Sequence, residues 1–131
     1  MIEFRCVSEE DLDAIRNFLA ENGWEKRVAD EGRFHRMITN ASRAVVAVDG
    51  ERIVGFARAL CDGASNGYIG TVAVAEDKRG QGIGREIVRQ LMGDDPNITW
   101  VLRAGRVSEE FWKKMGFETS SIAMERARKD S

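Results

Sequence analysis

The stretch that decides the reading of this chain is VAVAEDKRGQGIGREIVRQL, Val72 to Leu91. An alternating apolar run stops at a charged turn. Gly80, Gly82 and Gly84 then fall at alternate positions, with Lys78 and Arg79 ahead of them and Arg85 behind. From Gly82 to Met92 the pattern predicts a helix, because Ile83, Ile87, Val88 and Leu91 recur on one face. No side chain at its start offers a cap, so its first N–H groups have no partners and, with the helix dipole, make a place for an anion. Glycines let a phosphate oxygen approach those amides because no Cβ intervenes. The flanking arginines add charge and directed donors. The loop therefore points to a phosphate, and to a pyrophosphate above a single one. A plain glycine-rich turn joining strand to helix is the alternative.

Other phosphate loops fit less well. The Walker A pattern needs a Gly-Lys-Ser/Thr ending, which is missing. The dinucleotide fingerprint needs GxGxxG, and the spacing here is GxGxG.

Outward from the loop, the chain reads as one domain over residues 1–131, with the charged tail 124–131 expected to fray. Upstream, Ile2 to Val7 alternates as a strand. Ser8 and Asp11 form a capping-box-like start for a helix over residues 9–21, ended by Asn22-Gly23. Phe34, Met37 and Ile38 suggest a second short helix. Ala44–Val48, a turn at Asp49-Gly50, Ile53–Leu60, a turn from Asp62-Gly63 through Asn66-Gly67, and Tyr68–Val74 make an antiparallel meander. Downstream come a strand at Ile98–Leu102, a short helix from Ser108 through Phe111, Trp112 and Met115, and a loosely alternating last strand over Phe117–Met124. The order β-α-α-β-β-β-α-β-α-β implies an α/β (α+β) fold, with a mixed, mostly antiparallel sheet and helices on its faces.

Composition excludes several classes. The chain is 43% apolar and 32% charged, which suits a globular protein, and its net charge of −2 argues against nucleic acid as the main partner. No apolar run approaches membrane-spanning length, and the start MIEFRCVSEEDL already reads as structure, so neither a membrane anchor nor a signal peptide is expected. Cys6 and Cys61 share no CxxC spacing, and the lone His35 completes no zinc set, so no metal is expected. Two reduced thiols make the cytoplasm the default compartment.

The loop resembles the acetyl-CoA-binding motif of the GNAT N-acetyltransferase superfamily, Arg/Gln-x-x-Gly-x-Gly/Ala, here Arg79-Gly80-Gln81-Gly82-Ile83-Gly84. DGERIVGFARAL resembles the family's hairpin before the motif, and FWKKMGFE, Phe111 to Glu118, resembles its late FYxKLGF signature. The resemblance covers roughly residues 40–124. It implies that the strand Tyr68–Val74 splays from its neighbour, that the backbone of Val72, Ala73 and Val74 pairs with the pantetheine arm, and that the amides from Arg79 to Gly84, with Arg85 beside them, hold the pyrophosphate. It implies direct attack of a primary amine, on a small molecule or peptide, on the acetyl thioester. Homodimers are common in the family.

For the chemistry, the resemblance makes the Val74 N–H the oxyanion donor. The family's acid is the tyrosine of FYxKLGF, but Trp112 stands there, and an indole supplies no proton near neutral pH. Trp112 then packs on the pantetheine or walls off the thioester. Tyr68, the only tyrosine, is a candidate for the acceptor pocket. Asp62, Glu76, Asp77 and Glu110 are candidate bases, with a water chain as the alternative. Arg58 and Asp62 either frame the acceptor entrance or pair with each other. Lys113 and Lys114 are candidates for the CoA 3′-phosphate, and His35 for the acceptor pocket. A non-catalytic acyl-CoA-binding domain is the competing reading, and a nucleotide-binding module the third.

Overall fold

The computed structural model describes residues 1–105 and 108–129. Ser8 and Asp11 do open the first helix. The Ser8 amide donates to the Asp11 carboxylate at 2.8 Å, and Arg5 grips that carboxylate with both guanidinium arms at 2.8 and 2.9 Å. The elements run β1 (Ile2–Cys6), α1 (Leu12–Leu19), α2 (Glu31–Thr39), β2 (Arg43–Asp49), β3 (Arg52–Cys61), β4 (Asn66–Val74), α3 (Ile83–Met92), β5 (Thr99–Leu102) and α4 (Glu109–Lys114). The helix expected over residues 9–21 is thus divided: a 3-10 turn at Glu9–Asp11, α1, and a widened π turn at Ala20–Trp24 in which Gly23 takes φ 95°. Only glycine adopts that conformation freely.

One five-stranded sheet holds the strands in chain order. β1 to β4 are antiparallel neighbours, and β5 joins β4 in parallel through α3. This is the connection that a parallel pair requires, since no tight turn can join two strands running the same way. Val54, Gly55, Phe56 and Ala57 on the central strand are all buried, so the sheet is covered on both faces. α3 lies on the Gly55 face, where a side chain at Gly55 would strike Ile87 and Ile83. Arg43 ties down the end of that helix, donating to the carbonyls of Leu91 and Met92 at 3.0 and 2.8 Å. A cation there also suits the helix dipole.

The expected last strand, Phe117–Met124, is corrected. Phe117 packs edge-on against Trp112, but the backbone beyond it forms no strand. Ser120 Oγ accepts hydrogen bonds from the amides of Ile122 and Ala123 at 3.2 and 3.1 Å. Such local bonds draw the backbone away from an extended ladder. Ile122 and Met124 are exposed as a result. Asp130 and Ser131, in the tail expected to fray, lie outside the described residues.

Candidate functional site

The β4–β5 ladder joins only Asn66–Ile69 to Thr99–Leu102, while β4 continues to Val74. From Gly70 onward β4 therefore has no strand on its β5 side. The two strands part around a cavity of about 400 Å³. Gly70 to Val74 form one wall, Leu102 and Arg103 the other, with Arg79 and Gly84 at one end. Phe111 and Trp112 of α4 complete it, and Asn22 and Trp24 reach it from the π turn after α1.

Backbone direction follows from one bond. The Ala75 amide donates to the Val54 carbonyl at 2.8 Å, toward β3. Alternate residues of an antiparallel pair point the same way, so Ala73 also turns its N–H and C=O toward β3, where it faces Phe56. Val72 and Val74 turn theirs into the cleft. Arg79 Nε marks that direction, donating to the Val74 carbonyl at 3.3 Å. Ala73 is thus corrected as a backbone ligand: it lines the cleft, but its amide serves the sheet.

At the end of β4 the chain makes a 3-10 turn, Glu76–Lys78, and enters the glycine loop. Gly80 and Gly82 take φ 80° and 85°, and a Cβ on either would meet open space. The turn is what demands glycine, because left-handed backbone is costly for other residues. No side chain caps α3. Among the described residues, the amides of Gly80, Gln81, Gly82, Ile83, Gly84 and Arg85 donate to no protein acceptor; the first α3 bond into the loop runs from Glu86 N to Gly82 O at 3.1 Å. A Cβ on Gly84 would lie 3.4 Å from Val74 and 3.5 Å from Phe111, so the helix start faces the cleft wall. Arg85 is exposed beside the loop. Lys78 is held aside, 3.3 Å from the Asp49 carboxylate.

The carboxylates expected near the chemistry are elsewhere. Asp62 is corrected as a base: its carboxylate accepts from the amides of Ala64, Ser65 and Asn66 and from the Ser65 hydroxyl, capping the β3–β4 turn. The Ser65 hydroxyl bond, followed by the three amides, holds its pKa far below the usual carboxylate range. Such a group is a poor proton acceptor at neutral pH. Asp77 pairs with Arg52 at 2.6 Å, whose hydrogen bond lowers the carboxyl's pKa. Glu76 and Glu110 are exposed and outside the cleft lining. Lys113 pairs with Glu109. His35 stands 3.9 Å from both Asp13 and Glu31, between α1 and α2. Tyr68 is half-buried opposite Val101, outside the cavity lining. Trp112 is buried, packed edge-on against Phe111 and Phe117 with centroids 4.9 and 5.3 Å away.

Trp24 opens the segment Trp24 to Ser42, which the sequence marks as shaping the acceptor pocket, and it does line the cavity. Thr71 and Arg103 are lining residues without a sequence signal: Thr71 sits in a run that the sequence marks only for its backbone, and Arg103 follows a strand whose partner edge no local pattern records.

Comparison with known proteins agrees with this fold. The family model for the acetyltransferase (GNAT) domain matches residues 40–119. A GNAT-family protein from Xanthomonas campestris has the same fold with a TM-score of 0.80 at 20% identity, covering 98% of this chain and 94% of that one. A Trypanosoma brucei acetyltransferase matches with a TM-score of 0.73 at 21% identity, over 98% of this chain and 100% of that one. AAC(6')-Iy, solved with the bisubstrate analogue CoA-S-monomethyl-acetylneamine, matches with a TM-score of 0.75 at 14% identity over 98% and 99%. No curated protein matches the sequence.

Proposed function

This chain belongs to the GNAT acetyltransferase domain family, and on that premise we propose that it transfers an acetyl group from acetyl-CoA to a primary amine of a small molecule or peptide, in the cytoplasm. The observation that carries the reading is continuity: the unpaired edge of β4 at Val72 and Val74 runs directly into the free amides of the glycine loop. A peptide-like arm that ends in a pyrophosphate fits such an edge, because strand addition supplies its amides and the loop receives its phosphates. Within a GNAT domain that arm is the pantetheine of CoA. No helix among the described residues is long and apolar enough to cross a membrane.

Acetyl-CoA, when bound, supplies the activated acetyl group that an unprotonated amine attacks. The chain's part is to hold it and to meet charge where it develops. Val74 N–H and Val72 N–H both aim into the cleft, about 7 Å apart along the strand. Either donates to an oxygen there without reorganising, which is what transition-state stabilisation requires. A thioester at the far end of the arm from the pyrophosphate favours Val72, the deeper of the two.

Among the described residues, no Asp or Glu lines the cavity; its charged members are Arg79 and Arg103, and Arg103 is paired with Glu125 at 2.8 Å. Like charge nearby lowers the pKa of an ammonium, so Arg79 favours the free amine, with water taking the proton. Trp112 donates only a non-titrating indole N–H, so it shapes the cleft and the thiol leaves as thiolate.

The test is to mix the protein with acetyl-CoA and a panel of primary amines and follow free thiol. Amine-dependent thiol release is the expected result. Tight acetyl-CoA binding with no release for any amine would instead identify a non-catalytic acyl-CoA-binding domain. Preference for ATP over CoA would identify a nucleotide-binding module.

A further inference from the structure

Arg58 sits on β3 beside the inner end of the cleft, where β4 bulges. The register between the strands slips after Arg58, leaving Gly70 without a β3 partner. The guanidinium fills the space over that glycine: a methyl group on Gly70 would lie 2.7–2.8 Å from its carbon and both terminal nitrogens. Thr71, only 4% exposed, accepts a hydrogen bond from Arg58 Nε at 3.1 Å. Gly70 and Thr71 both line the cavity. One bond thus fixes the plane of the guanidinium; Arg58 is not itself part of the cavity lining, but its terminal fork lies against Gly70, which is.

Among the described residues, Arg58 makes no ion pair. Asp62, four positions along the chain, is consumed by its own turn. Burial lowers the Arg58 pKa, Tyr68 nearby acts to raise it, and the positive charge of Arg128 lowers it further. A partly desolvated guanidinium is costly without an anion, and its fixed fork matches a carboxylate. Of the cavity's own charges, Arg103 is paired with Glu125 at 2.8 Å, and Arg79 makes no ion pair among the described residues, so the lining offers a bare cationic amine no acid to pair with.

We propose that Arg58 docks a carboxylate of the acceptor, so that the amine acetylated here is a small molecule of the amino-acid class, carrying an amine and a carboxylate together. This rests on the acetyltransferase reading above. No bond is made or broken at Arg58; it is a specificity-determining residue that orients the acceptor while the amine faces the acetyl group.

The experiment compares amines that differ only in the carboxylate, such as phenylalanine with phenethylamine and lysine with cadaverine. Two quantities are read: thiol release from acetyl-CoA, and calorimetric binding of the same compounds to the protein saturated with CoA. The carboxylate-bearing member is expected to bind tighter and give a higher kcat/KM, by about tenfold to a hundredfold, the range of a charge-assisted hydrogen bond. Arg58→Gln should erase that preference, and Arg58→Lys should restore part of it. Both variants should keep the acetyl-CoA affinity and the thermal midpoint within a narrow range of the parent, which separates loss of docking from loss of fold. Equal binding and use of both members, preference for the decarboxylated one, no carboxylate-dependent signal at all, or a preference that survives Arg58→Gln would overturn the inference while leaving acetyl transfer intact. Failure to bind acetyl-CoA would overturn both.

Discussion

At Gly82, a backbone angle of 85° and a set of free amides meet in one residue. A Cβ there meets no neighbour, so Gly82→Ala tests the loop's conformation and not its packing. Left-handed backbone costs a non-glycine residue roughly 1–2 kcal/mol. If the loop relaxes to escape that cost, the amides turn away, and CoA binding should weaken about tenfold by calorimetry. Unchanged affinity would count against the loop as the phosphate site. Trp112 gives the complementary test. Because its indole is a wall and not an acid, Trp112→Phe should keep kcat within a few-fold. It should lower the stability by about 1–3 kcal/mol, read in a denaturant melt, since it empties part of a buried aromatic cluster. A thousandfold loss of kcat in a folded variant would make the indole part of the chemistry. Single residues also show the limits of reading a chain unaided. Arg58 and Asp62 invite pairing at i and i+4, but on a strand that spacing is about 13 Å, and the turn claims the aspartate first. Val72 and Val74 differ from Ala73 only in which edge they face, a fact that needs the β3 register.

At the scale of elements, the junction of β1 with α1 carries a clear electrostatic prediction. Its Asp11 carboxyl is held at about 2, first by the hydrogen bond from Arg5 and then by the Ser8 amide and hydroxyl. A folded-state pKa depressed below the unfolded value of about 3.9 contributes stability above that value, and this is lost as pH falls. The contribution should disappear between about pH 4 and pH 2. Asp11→Asn should therefore flatten the acid limb of stability against pH, and Asp11→Ala should cost about 1 kcal/mol at neutral pH. An unaltered acid limb would mean the pair contributes nothing. This junction, the meander and α3 were legible because caps, turn dipeptides and helical periodicity are local signals. The segment Phe117–Met124 forms no strand because its alternation is weak and Ser120 offers its amides a nearer partner than any strand. The parting of β4 from β5 came from the family resemblance alone, since no local pattern records where a parallel ladder ends.

For the whole molecule, the central claim is that a split strand and a glycine loop form one continuous receiving edge for CoA. Among the described residues, the absence of a lining carboxylate and of an ion partner for Arg58 takes on meaning only if that edge is filled. The most direct measurement is a backbone amide NMR titration of the labelled protein with CoA. The largest shifts are expected at Gly80, Gln81, Gly82, Ile83 and Gly84 and at Val72 and Val74, with Ala73 between them moving little because its N–H faces β3. Shifts centred on another part of the surface, or equal shifts at Val72, Ala73 and Val74 with a silent loop, would contradict the account.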